Sequence, residues 1–197
     1  KKPGAKMTPN DGLRIHHVQA FSQVNGPGTR TVIWTQGCTL NCPGCFNPDT
    51  HSLTAGKWIS AQAIACEVLN RQNQIEGITI SGGEPLLQMP ELTRLLKQIK
   101  SQARHLSVIL FSGYPWRHIQ SLPEIEPLLS VVDVLIAGPF VQSLRTAQHL
   151  AGSANKTFHF LSNRYQASDF YSIPPAEVII EANGSLQFSG IDPLQWK

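Results

Sequence analysis

Cys38, Cys42 and Cys45 stand together as Cys-Thr-Leu-Asn-Cys-Pro-Gly-Cys, and no other segment of the chain concentrates as much reactive chemistry. Three thiolates in one short loop can hold a metal and leave a coordination position open for a small molecule. A structural zinc site wants four protein ligands, and the fourth would have to be His51 or the distant Cys66. A disulfide framework would leave one of the three unpaired, in a chain long enough to bury a core without staples. An iron-sulfur cluster fits this ligand set best, with one iron left open.

The second chemical signal is Ser81-Gly82-Gly83-Glu84-Pro85, which follows the apolar run Gly77-Ile78-Thr79-Ile80. Paired glycines admit close backbone approach to a ligand, and Glu84 adds a carboxylate able to accept from an ammonium group. Alone, such a segment also reads as a tight turn with a solvated acid. Both signals come directly after strand-like runs, because Arg30-Thr31-Val32-Ile33-Trp34-Thr35 precedes the cysteines and Gly37 ends it. The C-terminal ends of parallel strands are where α/β proteins place ligands.

Cysteine triad, glycine pair and strand context together resemble the radical S-adenosylmethionine superfamily. The resemblance implies that Cys38, Cys42 and Cys45 carry a 4Fe-4S cluster and that Gly82, Gly83 and Glu84 hold the amino group of S-adenosylmethionine. Within the superfamily, Asn25-Gly26-Pro27-Gly28-Thr29-Arg30 and Cys42-Pro43-Gly44-Cys45-Phe46-Asn47 are similar to glycyl-radical-enzyme activating proteins, above all those of anaerobic ribonucleotide reductases. Phe111-Ser112-Gly113-Tyr114, the stretch from Asp133 to Phe140, and Gly152-Ser153-Ala154-Asn155-Lys156 extend the likeness over roughly residues 18 to 162. Three departures stand late in the chain: Ala137 where the family usually has Asp, Ala151 where it has Arg, and Lys156 where Gln is common.

The resemblance implies reductive cleavage of S-adenosylmethionine to methionine and a 5'-deoxyadenosyl radical, with flavodoxin or ferredoxin as electron donor. The radical removes hydrogen from a glycine Cα of a partner glycyl radical enzyme. The other readings are a radical enzyme acting on a small molecule or peptide, and a cluster- or zinc-binding module without catalysis. Ser112, Tyr114 and Asn155 follow strands on the active face and are further cofactor candidates.

The elements that must position these residues alternate. Ser60 caps a helix through about Asn70 with Ala61, Ile64, Ala65 and Val68 on its apolar side; Leu92, Leu95, Leu96 and Ile99 mark another. Strands are expected at Leu106 to Phe111, Val131 to Ala137 and Thr157 to Leu161, with Pro123 and Pro127 interrupting one helix. A βαβαβαβ order argues for a parallel sheet with right-handed crossovers. With the resemblance, it suggests an α/β fold, an incomplete β/α barrel of the radical S-adenosylmethionine type. Asn183-Gly184, between Glu177 to Glu181 and Ser185 to Phe188, signals a C-terminal β-hairpin that either covers an open edge or docks a partner.

The 197 residues are 41% apolar, which suits one globular domain over residues 7–197, with an extension from about 163. Residues 1–6 precede Met7 and are set aside. A net charge of +3, without basic runs, argues against nucleic acid, and no apolar stretch approaches a membrane span. Exposed thiols suit a reducing, cytoplasmic setting. Cys66 reads as a small buried hydrophobe on its helix and Trp34 as packing, while His16, His17, His51 and His159 are scattered polar residues.

Overall fold

The structure, a computed structural model, describes residues 12–180 and 183–191. The chain forms β1 (Gly12–Ser22), β2 (Arg30–Thr35), β3 (Lys57–Ser60), α1 (Ala61–Asn70), β4 (Gly77–Gly82), α2 (Met89–Gln102) and β5 (Ser107–Ser112). It continues through α3 (Trp116–Gln120), α4 (Glu126–Leu129), β6 (Val134–Ala137) and β7 (Thr157–Phe160) to a hairpin of β8 (Ala176–Ile180) and β9 (Leu186–Gly190). Glu181, expected to close the first hairpin strand, lies outside the described residues, as do residues 1–6 and Met7.

Seven strands make one sheet in the order β3-β1-β2-β4-β5-β6-β7. Its centre, β2-β4-β5-β6, is parallel, as the βαβ alternation predicts. Both flanks depart from an all-parallel sheet: β1 runs antiparallel to β2 and to β3, and β7 runs antiparallel to β6. The link from β6 to β7 holds only a short 3-10 turn and no crossover helix, so the chain doubles back instead of returning to the same end. The architecture is a mixed α/β sheet with a separate two-stranded hairpin.

Alternation along each strand sorts the two faces. Ile33, Ile78, Ile80, Val108, Leu110 and Leu135 pack with Ile64, Val68, Leu92, Leu95 and Ile99 of α1 and α2 in the main core. Ser60 caps α1 through its side-chain oxygen, which accepts from the Ala63 amide, as its sequence position predicts. On the opposite face Ile109, Val134 and Ile136 meet Leu150 and Phe170 in a smaller core, which leaves the same face of the β1, β2 and β4 region free to line a cavity.

A break in the register of β1 controls what that cavity contains. Ile15 pairs with Thr35 but His17 pairs with Trp34, so β1 carries one extra residue at that point. Leu13 and Ile15 therefore face the helices, while His17 and Gln19, of the same parity, face the cavity. Without the extra residue those two polar side chains would be driven into the apolar core.

Candidate functional site

The C-terminal ends of β2, β4 and β5 open into a cavity of about 510 Å³. Its lining includes all three triad cysteines with Gly82, Gly83, Ser112 and Lys156. The cysteine loop is fastened from below: the Gly37 amide donates to the Thr50 carbonyl at 2.8 Å and the Cys38 amide to that of His51 at 3.2 Å. Within the loop the Cys45 amide donates to the Cys42 carbonyl at 3.2 Å, and the Asn47 amide points at Cys45 Sγ at 3.4 Å. Phe46, directly after the triad, packs edge-on against Phe140 at 4.7 Å, which pins the loop's exit.

The glycine pair is required by the protein itself. A Cβ on Gly82, whose φ is +104°, would lie 2.4 Å from the Thr35 carbonyl oxygen, and one on Gly83 would lie 2.2 Å from that of Gly37. The Gly83 and Glu84 amides donate to those same carbonyls, at 2.9 and 2.8 Å. The loop after β4 is thereby laced to the loop that starts the cysteine motif, and only glycine permits that approach.

Glu84 is fully buried and does not line the cavity. Its Oε1 accepts from the Leu86 amide and the Ser112 hydroxyl, each at 3.0 Å, and its Oε2 accepts from the Gly113 amide at 2.7 Å. Burial pushes its carboxyl above the usual range, against the pull of those three donors and of Lys156. As it stands, Glu84 ties the loop after β4 to the loop after β5. Of the other candidates, Tyr114 turns its ring to His118 at 4.7 Å, and the Asn155 amide donates to the Pro139 carbonyl at 2.9 Å; neither lines the cavity.

Burial also pushes the Cys38 and Cys45 thiols up, and backbone amide hydrogen bonds only partly offset it. A metal binds the thiolate form, so loading this loop with one would release protons. Among the described residues no three His, Cys, Asp or Glu side chains converge tightly enough to share a single metal ion. A cubane cluster takes each thiolate on a different iron, so its ligands stand wider apart than those of one ion. The all-sulfur donor set and the adjoining cavity space fit such a group.

Several lining residues were not read as site residues from sequence. Lys156 donates from Nζ to the Gly138 carbonyl at 2.6 Å; burial pushes its ammonium down while Glu84, Cys42 and Cys45 hold it up. Its sequence signal was the replacement of a common Gln, and Ala151, another departure, also lines the cavity. Trp34, expected as packing, is a cavity wall beside His17, with ring centroids 5.5 Å apart. His16, His17 and His51 line the cavity too, whereas His159 stacks on Trp116 at 4.3 Å. Cys66 corrects the sequence reading: it is exposed, because its position on α1 falls just past the apolar side.

Among the described residues the hairpin forms no ladder with β3 or β7, so it extends neither edge of the sheet, and it is bonded instead to the β1–β2 region: Glu177 accepts from Gln19 Nε2 at 2.7 Å and from the Gln23 amide at 3.0 Å. Asn25 Nδ2 donates to Ser189 Oγ at 2.9 Å, and Gln187, Phe188 and Ser189 line the cavity.

Residues 24–159 match the description of a 4Fe-4S single cluster domain, and the chain belongs to that family, within the radical S-adenosylmethionine enzymes that its cysteine motif resembles. Its cofactors are an iron-sulfur cluster and S-adenosylmethionine. The anaerobic ribonucleoside-triphosphate reductase-activating protein of Escherichia coli strain K12 is 28% identical over 156 residues, which are 76% of this chain and 99% of the relative. A pyruvate formate-lyase-activating enzyme of Listeria monocytogenes is 30% identical over 141 residues, 70% of this chain and 56% of its own length. That of Staphylococcus epidermidis is 38% identical over 104 residues, 50% of this chain and 41% of its own. No described helix is long and apolar enough to cross a membrane.

Proposed function

We propose that this chain is an activating enzyme whose substrate is a glycine residue in a partner glycyl radical enzyme. The observation that carries this reading is the single cavity holding Cys38, Cys42, Cys45, Gly82, Gly83 and Ser112 at one end of the parallel strands. Cys38, Cys42 and Cys45 are the cluster ligands in this reading. When bound, the cluster and S-adenosylmethionine supply reductive cleavage of the cofactor and removal of hydrogen from an unactivated carbon. Everything else is the protein's task.

The Gly82-Gly83 backbone, laced to Thr35 and Gly37, would hold the methionyl end of the cofactor. Glu84 keeps an acceptor site on Oε2 but is buried off the cavity, so it would meet an ammonium group only as the loops after β4 and β5 that enclose it move. Tyr114 follows Gly113 on the loop after β5, and Asn155 holds the Pro139 carbonyl through its side chain, so both would bear on the cofactor indirectly. Lys156 places a cation beside Cys45 and favours its thiolate. The hairpin walls, Trp34 and Phe188 narrow the cavity and keep solvent from the reacting carbon. The four parallel strands belong, in this reading, to an incomplete β/α barrel, and residues 7–197 act as one unit with flavodoxin or ferredoxin as donor.

The test is anaerobic. The chain is reconstituted with iron and sulfide, reduced, and given S-adenosylmethionine with and without a glycyl radical enzyme. 5'-Deoxyadenosine by chromatography, with a glycyl signal in electron paramagnetic resonance only when the large partner is present, is the expected result. Turnover of a small molecule with no partner would replace the reading by small-molecule chemistry.

A further inference from the structure

Gln19 is 5% exposed, lines the cavity, and leaves its side-chain oxygen Oε1 without a hydrogen-bond partner. Its amide orientation is fixed. Nε2 stands 2.8 Å from the Phe21 carbonyl oxygen and 2.7 Å from Glu177 Oε1, and both of those accept but cannot donate when the carboxylate is ionised. Rotating the amide would set oxygen against oxygen twice. Oε1 is therefore an acceptor in want of a donor, in a position where leaving it unmet is costly. Two other buried side-chain polar atoms share this condition among the described residues, Arg71 Nη1 and Asn155 Oδ1, and neither residue lines the cavity.

The groups around Gln19 define what could satisfy it. Asn25, Gln187 and Ser189 present neutral amides and a hydroxyl, while Trp34 and Phe188 add ring surface. Gln187 Nε2 is 2.7 Å from His17 Nε2. The one acid nearby, Glu177, already accepts with both oxygens. An anionic substrate group would be repelled by Glu177, and a cationic one would find both Glu177 oxygens already accepting from Gln19 and the Gln23 amide. An uncharged chain that donates through N–H and lies against rings, which is what a peptide backbone does, would be matched.

Most of the wall, Asn25 and Trp34 excepted, is also set apart in sequence. The cysteines, Gly82, Gly83 and Ser112 fall inside residues 24–159, the segment matched to the family, whereas His17, Gln19, Glu177, Gln187 and Ser189 fall outside it. Gln19 pairs with Val32, three residues before the strand end at Thr35 and so about 10 Å below the strand tips where the cysteine and glycine loops begin.

We propose that Gln19 Oε1, which has almost no open surface in this arrangement, is uncovered as the substrate peptide seats and accepts one of its backbone N–H groups, at a subsite whose walls are β1 and the C-terminal hairpin. The hairpin holds Gln19 in the receiving orientation through Glu177. This rests on the reading that the substrate is a glycine within a protein, and it names the residue that sets the register of that segment.

The test uses the full chain with its cluster reconstituted, S-adenosylmethionine, and the peptide acetyl-Ala-Ala-Ser-Gly-Ala-Ala-amide. A series of the same peptide carries a methyl group on each backbone nitrogen in turn. Peptide-dependent 5'-deoxyadenosine formation should show one nitrogen whose methylation raises KM about tenfold in the wild type, in line with one lost hydrogen bond in a buried site. In Gln19→Leu the unmodified peptide should already show that KM, and the same methyl group should add nothing further. S-adenosylmethionine affinity by equilibrium dialysis should match the wild type. The proposal is overturned if every methylated position is tolerated, if the two changes multiply, or if Gln19→Leu loses S-adenosylmethionine affinity, which would assign the acceptor to the cofactor. Cofactor cleavage that no peptide in the series accelerates also overturns it, while leaving the cluster assignment standing. Absence of cleavage under all conditions would instead sink the enzymatic reading on which it rests. The methyl series on the wild-type chain needs no variant to fold.

Discussion

Each end of the parallel strands buries an ionisable side chain, and the two ends use it differently. At the N-terminal ends, Arg30 is fully buried and donates to Thr79 Oγ1, Ser107 Oγ, Tyr165 OH and the carbonyls of Pro27, Ile78 and Ser107. Burial pushes its guanidinium down from the usual range, and Tyr165, Asp133 and Glu76 counter that. Beside it, Asp133 accepts from Lys100 Nζ at 2.9 Å, the Val108 amide at 2.8 Å and Ser162 Oγ at 2.7 Å. At the C-terminal ends Glu84 is bonded as well, but the groups around it are not all so: the triad thiols line open space, and a buried amide oxygen beside the cavity has no partner. Where the chain satisfies its own polar groups it builds a staple across β2, β4 and β5. Where it leaves them unmet it has made room for something else.

The comparison breaks most sharply at the cysteines. Cys42→Ala should lose the cluster and take 5'-deoxyadenosine formation below detection while the apo fold survives, because the thiol contributes little to packing; iron content and urea unfolding check both halves. Turnover retained in that variant would end the ligand assignment. Arg30→Met should do the reverse, lowering stability by about 3 kcal/mol through lost charged hydrogen bonds while the folded fraction keeps its turnover per cluster. A loss of turnover out of proportion to the loss of stability would erase the distinction between the two ends.

Gly82→Ala tests the seam between loop and site. Its Cβ cannot coexist with the Thr35 carbonyl at 2.4 Å, so the β4 loop must shift, at a cost of about 1–3 kcal/mol and with weaker S-adenosylmethionine binding in equilibrium dialysis. Unchanged affinity would mean that this loop does not floor the cofactor.

The smallest effect concerns acid. Burial pushes the Asp133 carboxyl up, but Lys100, Ser162 and the Val108 amide more than offset it and hold it below the usual range. A depressed carboxyl contributes stability that is complete above the unfolded value of about 4 and drains away as pH falls through the lower folded value. The unfolding free energy of the cluster-free chain, from urea titrations, should therefore fall between neutral and acid pH by more than that of Asp133→Asn, by about 1–2 kcal/mol. Parallel profiles would remove Asp133 from the staple.

How much of this was legible in the sequence depends on distance along the chain. The cysteine loop, the Gly-Gly-Glu turn, β2, α1 and the hairpin could be read because their signals are local. β1 could not, because its alternation slips phase between Ile15 and His17, which hides the period-2 pattern. β3 has only four residues, and β7 carries no mark of its direction. Glu84 looked like a group facing a ligand because its partners, Ser112 and Gly113, come from a loop nearly thirty residues later.

By itself the sequence determined the chemistry: the spacing of three thiols and two glycines is a covalent fact, fixed before the chain folds. Only the tertiary structure decided which polar groups are satisfied by the protein and which remain open. That outcome depends on register and on which strands become neighbours. One extra residue in β1 turns Gln19 toward the cavity, and a hairpin some 158 positions away fixes its amide. Hydrogen bonds across such separations follow from packing the whole sheet, which no local pattern encodes.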